Sequence, residues 1–304
     1  MNRRSALAAL LLAGWLAACT TTPSETQSAT QPTPAPLPKP LPQLKVGIAL
    51  GGGAAKGFAH IGVIKMLEAN GIKPVVVSGT SAGSVVGALY ASGFDAFQLQ
   101  EQSFSLDESK IRDMSLLSGG LVKGQKLQDY VNELVKQKPM EKFAKPFAAV
   151  TTELETGRRT VFVKGNAGMA VRASSSIPGV FEPVLINGKR YVDGGVVSPV
   201  PVDAARQLGA DFVIAVDISS KATGTAPSNM LGIVNQAIMI MGQKLGEQEL
   251  ARAEVVIRPR VGKIGPTDFD QRNIAILEGE KAALALLPLI RQKMADKQKV
   301  LAAQ

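Results

Sequence analysis

From Lys45 onward the chain alternates short β-branched and apolar runs with longer stretches of helical periodicity. A short continuous apolar run bounded by turn residues reads as a strand buried on both faces, and apolar positions recurring every third or fourth residue read as a helix. On that basis Val46–Leu50 is a buried strand, followed by a glycine loop and a helix to about Ala69. Val75–Ser78 is a second buried strand, Ala82–Ser92 a helix, and Lys126–Lys138 a further helix. Phe147–Leu154 and Thr160–Val163 read as strands paired around Glu155-Thr156-Gly157. Val184–Ile186 and Arg190–Asp193 flank Asn187-Gly188, a strong hairpin signal. Phe212–Asp217 and Glu254–Arg258 are the remaining strands, with long helices over Leu231–Leu250 and Asn273–Ile290. In the first of these helices Leu231, Val234, Ile238, Met241 and Leu245 share one apolar face, which reads as core-facing. The alternation predicts an α/β fold of three layers, α/β/α, with a mostly parallel central sheet. Neither an internal repeat nor a second folded domain is evident.

The first 44 residues have another texture. Arg3 and Arg4 precede an apolar run from Ala6 to Ala18, too short to span a bilayer, which needs about 20 apolar residues. Residues 1–18 therefore read as an export signal. Leu16-Ala17-Ala18-Cys19 resembles the bacterial lipobox, which implies acylation of Cys19 and a membrane anchor through it. Thr20, rather than Asp, after that cysteine implies the outer membrane of a double-membraned bacterium, facing the periplasm. Cys19 is the only cysteine, so no disulfide forms within the chain. Residues 19–44 are rich in Pro, Thr and Ser and carry too few apolar side chains to offset their ordering entropy, so an extended tether is expected, with the folded domain at 45–304.

Charge adds one inference. Thirty-four basic against 25 acidic residues give a formal charge of +9, spread along the chain, which favours anionic surfaces such as phospholipid headgroups or nucleic acid. One Trp and three Tyr offer no stacking platform for single strands, so the balance falls to a membrane-facing protein with no nucleic-acid partner. No spacing of His, Cys or Glu reads as a metal site, and neither metal nor cofactor is expected.

The candidate chemistry begins at Gly79-Thr80-Ser81-Ala82-Gly83, a G-x-S-x-G pattern between a strand and a helix. Small residues at Gly79 and Gly83 permit a sharp turn that presents Ser81 at a helix N-terminus. In α/β-hydrolases the triad histidine follows the serine. Here the single histidine, His60, precedes it, so the proton of Ser81 must go elsewhere. Gly51-Gly52-Gly53-Ala54-Ala55-Lys56-Gly57 lies between the first strand and its helix, where glycines let backbone N–H groups turn toward an anion. It lacks the G-x-x-x-x-G-K-[ST] of a phosphate loop and the spacing of a dinucleotide site. Asp193-Gly194-Gly195 closes the hairpin and offers a carboxylate, though spacing does not choose Asp193 over Asp203, Asp211 or Asp217.

Taken in order, the Gly51–Gly57 loop, the Gly79–Gly83 turn and Asp193-Gly194-Gly195 resemble the motifs of patatin-like phospholipases, as does Ala173-Ser174-Ser175-Ser176-Ile177-Pro178-Gly179-Val180-Phe181. The similarity runs from about Lys45 to Val202. It implies a patatin-like fold and a Ser-Asp dyad, with Ser81 as nucleophile and Asp193 as base. It further implies an oxyanion hole from the amides of Gly51, Gly52 and Gly53, with Lys56, Gly79, Gly83 and Gly195 in support. Many relatives carry Arg where this chain has Lys56, which keeps the charge but loses planar bidentate contacts. The implied activity is hydrolysis of phospholipid or lysophospholipid esters. Alternatives are transfer of the acyl group to another acceptor, thioester hydrolysis, or a catalytically idle lipoprotein that binds lipid or an envelope partner.

Overall fold

The computed structural model describes residues 43–107, 109, 111, 113, 122–219 and 230–303; the side chains of residues 231, 232, 234, 235 and 238 also lie outside the description. Strands β1 (Val46–Leu50), β2 (Val76–Thr80), β3 (Phe147–Glu153), β7 (Phe212–Val216) and β8 (Val255–Ile257) run parallel in the order β3-β2-β1-β7-β8. Beyond β3 the sheet turns antiparallel through β4 (Arg159–Phe162), β6 (Lys189–Asp193) and β5 (Val184–Ile186). The expected turns at Glu155–Gly157 and Asn187-Gly188 join β3 to β4 and β5 to β6, and Asn187 takes φ +50°. The sheet is thus mixed, with a parallel centre.

Alternate residues of the central strands feed two apolar layers. Ile48 and Leu50 face α1 (Phe58–Ala69), α2 (Ala82–Ser92) and α8 (Arg272–Ala302), whereas Ala49, Val213 and Ala215 face α6 (Val202–Gln207) and the end of α7 (Met230–Leu250). Helices α3 (Ala96–Ser105), α4 (Gln125–Leu134) and α5 (Ala167–Ser174) join the first layer. Both faces of β1, β2, β3 and β7 are therefore covered, which is why β1 and β7 read as apolar throughout, and β2 and β3 until they turn polar toward their C-terminal ends.

Three helices escape the periodicity reading: α3, α5 and α6. The first two begin at caps that the sequence does carry. Asp95 accepts from the Gln98 amide at 2.8 Å while Gln98 accepts from the Asp95 amide at 3.0 Å, a capping box, and Asn166 accepts from the Met169 amide at 2.7 Å. Helix α4 stops at Leu134 rather than Lys138 because Lys136 and Gln137 both take φ +54°. Helix α8 continues past Ile290 to Ala302 through Pro288. On α7 the core-facing expectation holds only in part: Leu245 is half-buried, whereas Met241 is 58% exposed. The inward side of α7 instead carries Gly242 and Gly246, set against Gly195 and Pro199, together with buried Glu249 and Leu250. Leu231, Val234 and Ile238 lie outside the described side chains. No helix among the described residues is long and apolar enough to cross a membrane. Cys19 and the first 42 residues lie outside the described residues.

Candidate active site

Ser81 is the single residue between β2 and α2, and the chain reverses around it at φ +54°, ψ −125°. A non-glycine residue in that region costs about 1–3 kcal/mol and persists only where its surroundings fix it. The surroundings are tight. A Cβ at Gly79 would run into the Gly83 carbonyl, and one at Gly83 into the Leu50 carbonyl. The Ser81 amide donates to Ser174 Oγ at 3.0 Å, whose own hydroxyl donates to the Val150 carbonyl at 2.6 Å. The Ser81 carbonyl accepts from the Ser84 and Val85 amides. Backbone and neighbours thus hold Ser81 in place while its side chain borders a cavity.

The glycine loop lies directly against this turn: a Cβ on Gly52 would stand 3.2 Å from Ser81 Cβ. Two of the three expected donors are already engaged. The Gly51 amide donates to the Val216 carbonyl and the Gly52 amide to the Pro199 carbonyl, both at 3.0 Å. The loop amides that make no hydrogen bond among the described residues are those of Gly53 and Ala54. Ala54, at φ +50°, lines the same cavity as Ser81. The unpaired amides therefore lie at the third glycine and the residue after it, because the first two glycines are tied into the sheet and the segment after Asp193. Lys56 is buried in the 3-10 turn Ala54–Gly57 and does not line the cavity; burial lowers the pKa of its ammonium group.

Asp193 ends β6, in register with Thr151 of β3, while Val150 of β3 pairs with Thr80 beside Ser81. Its backbone is fixed on both sides, the amide donating to the Ser176 carbonyl and the carbonyl accepting from Thr152 Oγ1, both at 2.9 Å. Oδ1 accepts from the Gly195 amide at 2.7 Å. Burial raises the Asp193 carboxyl to about 6, against the opposing hydrogen bonds from the Ser81 side chain and the Gly195 amide. The other three aspartates are engaged elsewhere. Asp203 pairs with Arg252 and Arg159, Asp211 accepts from the Lys45 amide, and Asp217 binds Arg258 and Ser219. Asp193 is thus the one of the four that meets Ser81.

The segment following Asp193 laces the site together. Ser78 Oγ donates to the Pro201 carbonyl and Thr80 Oγ1 to the Ser198 carbonyl, each at 2.8 Å. Beneath it, Glu249 of α7 accepts from Ser198 Oγ at 2.5 Å and from the Val200 amide at 3.0 Å. Burial raises Glu249 to about 7, although those two hydrogen bonds and Arg159 act to lower it. Nothing in the spacing of Glu249 marked it in the sequence, and Ser174 stood there only as part of the family-like Ala173–Phe181 segment, with no role of its own.

Ser81 stands at one wall of a cavity of about 300 Å³ whose other walls are mainly apolar, among them Phe58, Ile61, Leu89, Leu99 and Phe269. A carbonyl placed at Ser81 Oγ would therefore carry its apolar substituent into this space. His60 is fully buried on α1 and bonds the Gly51 carbonyl, not Ser81. Among the described residues no group of His, Cys, Asp and Glu could hold a metal ion.

The family model "Patatin-like phospholipase" matches residues 48–206. An uncharacterized NTE family protein of Mycobacterium tuberculosis is 35% identical over 184 residues, covering 60% of this chain and 51% of the relative. Patatin-like phospholipase domain-containing protein 6 of Homo sapiens is 32% identical over 184 residues, covering 58% of this chain and 13% of its own length. Lysophospholipase NTE1 of Pyricularia oryzae is 29% identical over 280 residues, 82% of this chain and 19% of that one. The chain thus spans at most about half the length of these relatives. Among solved structures, VipD from Legionella pneumophila superposes with a TM-score of 0.59 at 16% identity, over 81% of this chain and 67% of that one, a likeness of fold.

Proposed function

The chain belongs to the patatin-like phospholipase family, and from that premise we propose that it is a serine hydrolase of phospholipid or lysophospholipid esters working through a Ser81–Asp193 dyad. The observation that carries the reading is the placement of Ser81 on a strained strand-to-helix turn, beside a buried carboxylate and at the wall of an apolar cavity. Asp193 takes the Ser81 proton as Oγ attacks the ester carbonyl, forming the C–O bond of a tetrahedral intermediate. The amides of Gly53 and Ala54 donate to its oxyanion, and each such donor is worth roughly 2.7–4 kcal/mol of barrier. Protonated Asp193 returns the proton to the departing alcohol oxygen, and water then cleaves the acyl-enzyme by the same steps. An ordinary aspartate is a weak base toward serine; a carboxyl raised to about 6 is a stronger one that stays ionised at neutral pH.

The direct test is incubation of the protein with phospholipid and lysophospholipid micelles, with and without a second alcohol or thiol acceptor. Fatty-acid release blocked by a fluorophosphonate is the expected result. Transfer to the acceptor in preference to water would make the protein an acyltransferase, and no release with no labelling would leave an idle lipid-binding protein. The base assignment adds a pH signature. kcat/KM should fall about tenfold per pH unit below an inflection near 6, as Asp193 gains its proton and can no longer accept one. A profile flat down to pH 4.5 would remove Asp193 from that role.

We also propose residues 1–18 as an export signal, acylated Cys19 as an anchor in the outer membrane facing the periplasm, and residues 19–44 as the tether that lets the domain at 45–304 reach lipid. A single acyl chain holds weakly and several together hold firmly. Cys19→Ala should therefore move the protein from the membrane pellet to the soluble fraction after cell lysis. Unchanged sedimentation with membranes would overturn the anchor.

A further inference from the structure

The one histidine of the chain takes no part in the chemistry above, yet its polarity is put to a definite use. His60 is completely buried on α1, with Nε2 2.8 Å from the Gly51 carbonyl oxygen and Nδ1 without a hydrogen-bond partner among the described residues. A carbonyl oxygen only accepts, so Nε2 carries the proton and Nδ1 is a bare acceptor. An unpaired buried acceptor is a cost that a leucine of similar size would avoid.

The Gly51 carbonyl and the Gly52 N–H are the two ends of one rigid peptide plane. Its carbonyl is held by His60 from α1, and its N–H is held at 3.0 Å by the Pro199 carbonyl from the opposite side. The Pro199 segment is itself fixed by Glu249 and Thr80. Beyond this clamped plane the torsions of Gly52 and Gly53 set where the unpaired Gly53 and Ala54 amides point. The far side is held by the Lys56 amide on the Gly53 carbonyl and the Ala55 amide on the Pro266 carbonyl, both at 3.2 Å. Glycines hold such torsions weakly by themselves, so the near side depends on the His60 bond. We propose that His60 is a positioning residue, whose Nε2–H bond to Gly51 orients the glycine-loop amides toward the oxyanion formed at Ser81.

The proposal rests on the acyl-transfer reading of the site. Burial, opposed by the Gly51 hydrogen bond and by the Asp217 carboxylate, lowers the imidazole to about 4, which keeps it in the neutral form over the working pH range. The bond is thus present with a single tautomer, and the imidazole itself adds no charge beside the loop.

Because no other histidine exists, selective ring labelling with ¹⁵N reads this residue alone, provided the purification tag carries no histidine. The expected spectrum shows a protonated Nε2 and a bare Nδ1, unchanged between about pH 5.5 and 8. A protonated Nδ1 with bare Nε2, or a ring titrating near its ordinary value, would overturn the proposal. Three variants then separate positioning from packing. His60→Leu removes the donor, His60→Asn keeps polarity but ends short of Gly51, and His60→Gln carries an amide N–H to about the place of Nε2.

On a soluble ester, kcat should fall roughly 10- to 100-fold in the Leu and Asn proteins with KM within about twofold, while Gln stays within about fivefold of wild type. Undiminished kcat in a folded Leu or Asn protein sinks the proposal, and so does equal loss in all three with KM rising in step. Should the Leu and Asn proteins not fold, the tautomer measured in the wild type decides. A wild-type protein that resists fluorophosphonate and hydrolyses no ester would refute the parent reading, an outcome distinct from an active wild type with indifferent variants.

Discussion

Ser81→Ala should lower ester hydrolysis by on the order of 10⁴-fold or more and abolish fluorophosphonate labelling, with Asp193→Asn close behind at about 10³- to 10⁴-fold. In the proposed mechanism the serine supplies the nucleophile and the aspartate accepts its proton, so neither loss is made good by the other. His60 is no substitute, being bonded to Gly51 and fully buried. The two variants should part company in stability. Asp193 is raised in the folded protein to about 6 from an unfolded value near 3.8, so the folded state binds the proton more tightly between those values. Stability from this group is therefore greatest below about pH 4 and declines as pH rises to 6, by about 3 kcal/mol in all. Asn carries no charge, so Asp193→Asn should melt higher than wild type above pH 6 and lose that advantage toward pH 4. Thermal melts at the two pH values check the sign. A dead Asp193→Asn protein that also melts lower at pH 7 would indicate structural damage rather than loss of a base.

Gly83→Ala is the second large effect, and here two principles pull in opposite directions. Within α2, alanine is favoured over glycine by about 1 kcal/mol. At this position, however, the new Cβ would collide with the Leu50 carbonyl oxygen and lie 2.7 Å from that of Gly51. Backbone atoms cannot step aside as a side chain does, so overpacking of about 3 kcal/mol or more should win. The strand end that must move is the one that leads into the glycine loop, so folded molecules should also lose kcat. Chemical denaturation and fluorophosphonate labelling rates measure the two parts. A stabilised, fully active Gly83→Ala protein would mean that α2 has room to draw back from the Leu50 and Gly51 carbonyls of β1 and the glycine loop.

Much of the parallel core was legible because strands buried on both faces must be unbroken apolar runs, as in Val46–Leu50 and Phe212–Val216. The two hairpin turns were legible because Asn-Gly and a Gly-bearing turn carry their own backbone chemistry. Helix α3 was not, since its apolar positions are sparse; the capping box of Asp95 and Gln98 was the available signal. The exposure of Met241 on α7 was invisible to periodicity. A stripe of apolar residues shows that a helix is two-sided and leaves open which side faces inward, and here glycines allow the closer approach.

The sequence by itself determined the family, the α/β class and the candidate residues Ser81, Asp193 and the glycine loop, because each depends on residue type within a short span. Asp193 was named through the resemblance of Asp193-Gly194-Gly195 to a family motif, whereas spacing left Asp203, Asp211 and Asp217 open; the tertiary structure engages those three elsewhere and brings Asp193 to Ser81. It also decided which loop amides remain unpaired, because the partners of Gly51 and Gly52, Val216 and Pro199, lie far along the chain. A hydrogen bond between distant segments leaves no mark on the residues beside it, and in this site such bonds set the direction of every group that would act.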